Sequence, residues 1–572
     1  MMTRMISKYT SPTPDKKLAV KNTLTLTQNV KRAKVHQVGV PDNNDIPIIT
    51  DDTNNNNDNK DFNSMQLLSK KALSLLNTAF SYDRQQLSPG ILHFSTGNFH
   101  RAHQAGYYHD LFEQSKKNNN DRNDLMWGVR ECSVRGGGSY TEETRPALEK
   151  QDYLYTIVEL DDEKATPKIT GSIIDMLPYQ NDHKPIKDAL MQDETKIVSM
   201  TVTEGGYFLN PTTNEFDPQM DAIQHDIQNP EKPNTVFGLI VNALKKRRDN
   251  GQRPFTVMSC DNVPGNGKVC QQATVGLAKE IDTELGEWIE RNVNFPNSMV
   301  DRITPEPTKD LERDAGCDDW EYKDDAIIFC EPFRQWVCED KFCFNERPPL
   351  ERVGVKFVDD VAPYENMKLR ILNGGHASLC YPAALLDIEF VHQAMEHEVI
   401  CEFVDKLQKT EILPQVPPVP DTDLNEYWDT VRGRYQNSKL SDRIDRNCEQ
   451  GSDRQPKFII PSLKDCLGGT SNKASEDEEE EQCVDGLATV SAMWCRYCQG
   501  TSESGRELKV KDSIDDIQDI ASKAKADPTK WLELDVYGDV GQNEKFRTAF
   551  STALQTIHKD GVEAAMKKYI ES

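Results

Sequence analysis

The chain has 572 residues, too many for one hydrophobic core, so two or three domains are expected. Its net charge of −26 argues against nucleic acid and anionic membrane surfaces as partners, because phosphate contacts need clustered Lys and Arg, though a local basic pocket stays open. No apolar run is long enough to span a bilayer.

Residues 1–87 read as a disordered tail, since the Asn/Asp-rich run from Asp51 to Asn63 has almost nothing to bury. The basic residues near its start lack the apolar segment of a secretory signal, which leaves cytoplasm as the expected location, with an organellar transit peptide as the alternative. Order begins near Gly90. Ile91–Phe94 is an apolar strand, followed by a turn, Ser95-Thr-Gly-Asn-Phe-His-Arg-Ala-His103, and an amphipathic helix to about Ser115. Further strands are expected at Leu125–Val129, Tyr153–Leu160, Lys196–Thr203 and Phe255–Cys260. Helical periods lie between them at Thr235–Arg248 and Gln271–Asn292. This alternation implies an α/β domain over 88–359 with a largely parallel, Rossmann-like sheet.

From Val361 onward strand signals fade, and an α-helical domain is expected over 360–572. The acidic run Glu476–Glu481 interrupts it as a solvated loop over about 470–486, with Ser475 a candidate phosphorylation site for an acid-directed kinase. The fourteen cysteines lack the regular spacing of a disulfide scaffold and read as reduced thiols. Cys495-Arg-Tyr-Cys498 falls in an apolar run, Leu487–Tyr497, that reads as a buried helix. No second Cys pair completes a metal site, so no metal is expected.

The chemistry concentrates in Glu365-Asn-Met-Lys-Leu-Arg-Ile-Leu-Asn-Gly-Gly-His-Ala-Ser-Leu-Cys380. At about 100° per helical residue, Asn373 sits about 140° and His376 about 80° round from Lys368, so an amine, an amide and an imidazole share one face. Gly374 and Gly375 between them cost about 1 kcal/mol each in a helix interior, which suggests that something approaches the backbone closely there. The first strand–turn–helix is a degraded dinucleotide turn, in which Ser95-Thr96-Gly97 stands where Gly-x-Gly is usual. Asn98, Phe99, His100 and Arg101 open the following helix, and Arg101 has the shape to hold a phosphate bidentately.

These segments resemble the polyol-specific long-chain dehydrogenases. The resemblance is carried by Phe94-x-x-Gly97-Asn-Phe-His-Arg-Ala-His-Gln104, Ser259-Cys-Asp-Asn-Val-Pro-Gly-Asn-Gly267, Val300-Asp-Arg-Ile-Thr-Pro305, Glu331-Pro-Phe-Arg-Gln-Trp336 and the Lys368 helix, in the family's order. It implies a zinc-independent, reversible hydride transfer between a nicotinamide cofactor and a polyol, with D-mannitol to D-fructose as the expected reaction. Arabinitol, sorbitol or a hexuronate are alternatives, as is a catalytically lapsed binding protein. The resemblance makes Lys368 the general base, Asn262 and Asn373 donors to the substrate oxygen, His376 an orienting group, and Glu365 a gate for proton exit. It makes Asp340, Arg446 and Arg454 substrate contacts, with Arg454 standing where relatives carry Lys. Asp301 and Arg302 are ranked second, as an ion pair at the cleft. Glu131, after the second strand, favours NAD by holding a ribose hydroxyl, while Arg130 or Arg135 would suit NADP. NAD, a small-molecule partner and a monomer are the expectations.

Overall fold

In a computed structural model of the protein, residues 66–73, 80–117, 123–138, 140–210, 213, 215–468 and 483–572 are described. Its centre is β1 (Ile91–Phe94), buried along its whole length, as a central parallel strand with both faces covered must be. Four strands join it, all parallel: β2 (Val129–Cys132), β5 (Ile173–Met176), β6 (Ile197–Met200) and β7 (Thr256–Ser259), in the order β5-β2-β1-β6-β7. Successive side chains point to opposite faces. Ile91, Val129 and Ile197 therefore enter one core, and Leu92, Val198 and Val257 enter the other. Helix α1 (Asn98–Ala102) leads into α2 (Gln104–Lys117), while α3 (Val236–Asp249) and α4 (Asn266–Ile281) pack on the sheet.

Two small mixed sheets extend this body. One joins β3 (Tyr155–Leu160), β4 (Ala165–Thr170) and β9 (Ile328–Cys330); the other joins β8 (Ser298–Asp301), β10 (Gln335–Glu339) and β11 (Lys356–Val358). In the second, Val300 pairs with Trp336 and Asp301 with Gln335. The strand expected at Leu125–Val129 begins instead at Val129, because Asp124–Met126 forms a helical turn with Leu125 buried as its anchor.

After β11 the described chain is helical. The segment that carries the site runs through α5 (Ala362–Met367), a π-helical turn (Lys368–Asn373) and α6 (Gly374–Leu385). Beside it lie α7 (Leu424–Gln436), α8 (Ile444–Cys448), α9 (Gly451–Phe458) and α10 (Asp485–Tyr497). The helical core includes Met299 of β8 and Val337 of β10, so it is continuous with the last strands. Cys495 and Cys498 are buried in that core with free thiols. No helix among the described residues is long and apolar enough to cross a membrane.

The disorder expected over 1–87 does not hold for residues 66–73 and 80–87. Gln66–Leu67 pairs with Tyr322–Lys323, and Leu68 is buried. Arg84 donates to three carbonyls, Gly171 at 2.8 Å, Asp152 at 2.9 Å and Ile173 at 2.7 Å. A polar stretch can be held by such long-range bonds without an apolar period to announce it. Residues 1–65, including the Asn/Asp-rich run, and 469–482, including Ser475 and the acidic run, lie outside the described residues.

Candidate active site

The strand order reverses at β1, with β2 on one side and β6 on the other, and ligands of open α/β sheets bind at such a switch point. A cleft of ≈ 670 Å³ opens there. Ser95, Gly97, Asn98, Phe99, Thr201 and Thr203 form its sheet side, joined by Asn262 and Asp301. Lys368, Asn373, His376, Arg446 and Arg454 reach it from the helices.

Two residues that follow strands in this wall are strained. Ser95 has φ +83° and Thr203 φ +66°, in the region that favours glycine. The surroundings hold both. Ser95 N donates to Cys132 O at 2.9 Å, and Asp261 accepts from Val202 N at 3.0 Å and Thr203 N at 2.9 Å. At Gly97, the cap of α1, a Cβ would meet nothing within 4 Å, so open space lies over the helix start and its unpaired N–H groups. A dinucleotide pyrophosphate fits this turn.

The remaining residues expected at the cofactor do not line the cleft. Thr96 is buried beneath the turn. Glu131 stands opposite His93 in register, so its carboxylate points into the layer under α1, fully buried and 3.2 Å from His100 Nε2. Arg101 is also buried, donating to Ala326 O at 2.8 Å and Asn98 Oδ1 at 2.9 Å. Neither Glu131 nor Arg101 is available to a ribose or a phosphate. Arg130 is spent on Gln192 Oε1 at 2.8 Å and Asp175 Oδ2 at 3.1 Å.

Lys368 is buried, and its Nζ donates to Asn262 Oδ1 at 2.6 Å and Val300 O at 3.0 Å. Burial lowers its pKa, Asp301 opposes that fall, and Arg434 adds to it. The π turn improves on the spacing read from the sequence. Hydrogen bonds closing from i to i+5 wind this turn more widely, so residue 373 comes round nearer to residue 368 than an α-helix would bring it. Gln408 Nε2 donates to Ile371 O at 3.0 Å and Tyr435 Oη to Leu372 O, anchoring the widened turn from outside.

The two glycines serve packing between helices. A Cβ on Gly375 would lie 2.5 Å from Tyr435 Oη, and one on Gly374 would lie 3.1 Å from Phe458 O. What approaches the backbone there is protein.

His376 lies against Tyr435, ring centroids 4.5 Å apart and planes tilted by 40°, with Nε2 3.6 Å from Asp442 Oδ2. Burial, and then Arg454, Arg434 and Arg446, push it down to about 3, so it is neutral at pH 7. Glu365 accepts from Gly265 N at 3.2 Å on both oxygens, and burial raises it to about 7. Between Glu365 and Lys368 lies a small cavity of ≈ 20 Å³.

Asp340 is not at the cleft. It is exposed and forks onto Arg347, 2.7 Å from Nε and 3.1 Å from Nη2. Asp301, the one ranked second, does line the cleft, together with Asp261, Asp442 and Asp453, and its partner is not Arg302. Arg434 holds Asp301 at 2.8 and 3.0 Å and Glu331 at 2.8 and 2.9 Å, so one buried guanidinium serves two buried acids. Arg302 turns away to Ala102 O at 2.7 Å and Glu159 Oε1 at 2.6 Å. Arg454 reaches the cleft while donating to Asn447 O at 2.8 Å. Sequence reasoning missed Arg434, Thr201, Asp261 and Asn266. The last two stand inside the quoted Ser259–Gly267 segment, where Asn266 Nδ2 ties Asp261 O at 2.9 Å to Ser298 O at 2.7 Å and so fixes the turn that carries Asn262.

A doubly wound parallel sheet, whose switch point receives a buried lysine from a helical region, defines a two-domain dinucleotide-binding class. Residues 89–352 match the mannitol dehydrogenase Rossmann domain and residues 360–558 the mannitol dehydrogenase C-terminal domain. The mannitol 2-dehydrogenase of Cereibacter sphaeroides is 45% identical over 493 residues, covering 86% of this chain and 98% of its own. That of Pyricularia oryzae is 34% identical, covering 86% and 95%. Among solved structures, Pseudomonas fluorescens mannitol 2-dehydrogenase in complex with NAD and D-mannitol superposes with a TM-score of 0.77 at 34% identity, covering 89% of this chain and 100% of that one. A substrate-free D-sorbitol dehydrogenase also gives 0.77, at 31% identity, covering 88% and 100%. The chain belongs to the mannitol dehydrogenase family.

Proposed function

We propose that the protein is an NAD-dependent polyol dehydrogenase that oxidises D-mannitol at C2 to D-fructose, reversibly, with a lysine rather than a metal as the base. The observation that carries this reading is the buried Lys368 amine, 2.6 Å from Asn262 Oδ1 at a dinucleotide switch point. The relatives named above act as precedent for substrate and cofactor.

Oxidising a secondary alcohol requires removal of its hydroxyl proton. Lys368, depressed by burial, reaches its neutral form at lower pH than a free lysine and takes that proton. While Lys368 is an ammonium it can only donate, so Asn262 meets it with Oδ1 and turns its NH₂ toward the cleft. Asn373 supplies a second amide from the π turn. Both donate to the oxygen on which charge develops, and neither competes for its proton. His376, neutral at pH 7, orients the substrate hydroxyl beside Lys368.

The proton leaves Lys368 toward Glu365 through the ≈ 20 Å³ cavity, which has room for one water. Asp301, Arg446 and Arg454 pair with the remaining hydroxyls, which would be costly to bury unpaired. Bound NAD would supply the hydride acceptor, held by Ser95, Gly97, Asn98 and Phe99. In this reading 88–359 holds the cofactor, 360–572 supplies the base, and the enzyme is a cytoplasmic monomer. Another polyol is the second reading, favoured by the equal superposition on a D-sorbitol dehydrogenase and by Arg454 in place of Lys.

Purified protein with mannitol and NAD should generate NADH absorbance, and fructose with NADH should consume it. Lys368→Ala should lower the rate by about 10²–10⁴-fold, the usual worth of a general base. A panel of mannitol, sorbitol, arabinitol and hexuronates ranks the substrates. Activity that survives the Lys368 substitution removes the base from this account.

A further inference from the structure

A buried polar layer lies directly under the cofactor turn, and the chemistry above leaves it unused. His93, fully buried in β1, stands in register between Glu131 on β2 and Ser199 on β6. Its Nδ1 lies 2.8 Å from Ser199 Oγ and its Nε2 3.1 Å from Thr201 Oγ1. From above, His100 of α1 stacks on it, with ring centroids 3.5 Å apart and planes 14° apart. His100 Nδ1 is hydrogen-bonded to Gln104 Oε1 at 3.2 Å, and its Nε2 lies 3.2 Å from Glu131 Oε1. An apolar side chain at position 93 would avoid the desolvation cost of a buried imidazole. The imidazole makes physical sense if one of its partners faces a ligand. Of its two hydroxyl partners, only Thr201 lines the cleft.

We propose that the Thr201 hydroxyl contacts the nicotinamide dinucleotide at the switch point and that His93 is its positioning residue, fixing the direction of that hydroxyl through Nε2. The inference rests on the cleft being the NAD site. A threonine at a strand end has several staggered rotamers. A fixed bond to His93 selects one before the ligand arrives, so less ordering remains to oppose binding. Burial holds His93 well below the usual histidine range, so one ring nitrogen donates and the other accepts. Ser199 and Thr201 satisfy both. His100 and Glu131 are the titratable groups that face His93, and both belong to the same layer.

The test measures NAD affinity by calorimetry, with kcat at saturating NAD recorded separately. Loss of one hydrogen bond predicts that Thr201→Val weakens NAD binding by about 5-fold while kcat stays within about two-fold. His93→Asn, which reaches only the Nδ1 position, should reproduce that loss. His93→Gln, whose amide reaches the Nε2 position, should restore affinity to within about two-fold of wild type. Combining His93→Asn with Thr201→Val should add nothing, because both remove one interaction. Unchanged affinity in Thr201→Val, or losses that multiply in the double variant, overturns the proposal. If the His93 variants fail to fold, the ring-nitrogen resonances of His93 in the wild-type protein decide. They should shift on NAD addition and stay fixed in Thr201→Val, and resonances indifferent to NAD in the wild type overturn the proposal. Wild-type protein that binds no NAD at all would instead overturn the underlying reading of the cleft.

Discussion

Glu365→Gln tests how the cleft handles protons. Both Glu365 oxygens accept from Gly265 N at 3.2 Å, and glutamine can keep that contact through its carbonyl, so the substitution removes an ionisation with little change of shape. Burial raises Glu365 from 4.5 to about 7. The folded protein therefore holds this proton more tightly than the unfolded chain. The resulting stability is fully present below pH 4.5 and is lost as pH climbs through about 7. Each pH unit in that window is worth about 1.4 kcal/mol, and partial solvation leaves about 2 kcal/mol over the whole of it. Glutamine has no charge to desolvate. The variant should match wild type near pH 4.5 and be more stable by about 2 kcal/mol near pH 8. Thermal melts of both proteins across that range measure the gap, and mannitol oxidation profiles measure the relay. The variant should oxidise mannitol more slowly and lose the inflection near pH 7. A stability gap that is the same at every pH refutes the burial argument, and an unaltered rate profile refutes the relay.

Ser95→Gly should stabilise the protein by about 1 kcal/mol, because φ +83° is strained for serine and free for glycine; a fall in melting temperature would contradict this. Asp340→Ala should leave the KM for mannitol within about two-fold, since it breaks only an exposed pair with Arg347. Asp301→Ala, which removes a carboxylate from the cleft wall and leaves Arg434 paired with Glu331 alone, should cost up to about 3 kcal/mol and most of the activity, and equal effects of the two substitutions would reverse the assignment. Arg84→Ala removes three bonds to carbonyls and should destabilise by about 2–4 kcal/mol in denaturant melts, with kcat unchanged.

What could be read along the chain was whatever depends on near neighbours. Alternating apolar strands and helical periods announced the doubly wound sheet, Ser95–Phe99 read as a degraded dinucleotide turn, and helical spacing put Lys368, Asn373 and His376 on one face, while Asn262 was supplied by the resemblance to the polyol dehydrogenases. The turn and the helix face each lie on one short segment, where local geometry sets the direction of a side chain. Other features required partners distant in sequence. Asp340 and Asp301 look alike as acids beside a strand, and only Arg347 at the surface and Arg434 in the interior separate them. Glu131 follows a strand as a ribose-binding acid would, yet its register opposite His93 turns it beneath α1. The widening of the Lys368 turn depends on Gln408 and Tyr435, and the close approach at Gly375 is made by that same tyrosine. Local periodicity fixes which way a side chain leaves the backbone. Whether it meets a counter-charge, a neighbouring helix or open space is decided by residues tens to hundreds of positions away, which no spacing rule can see.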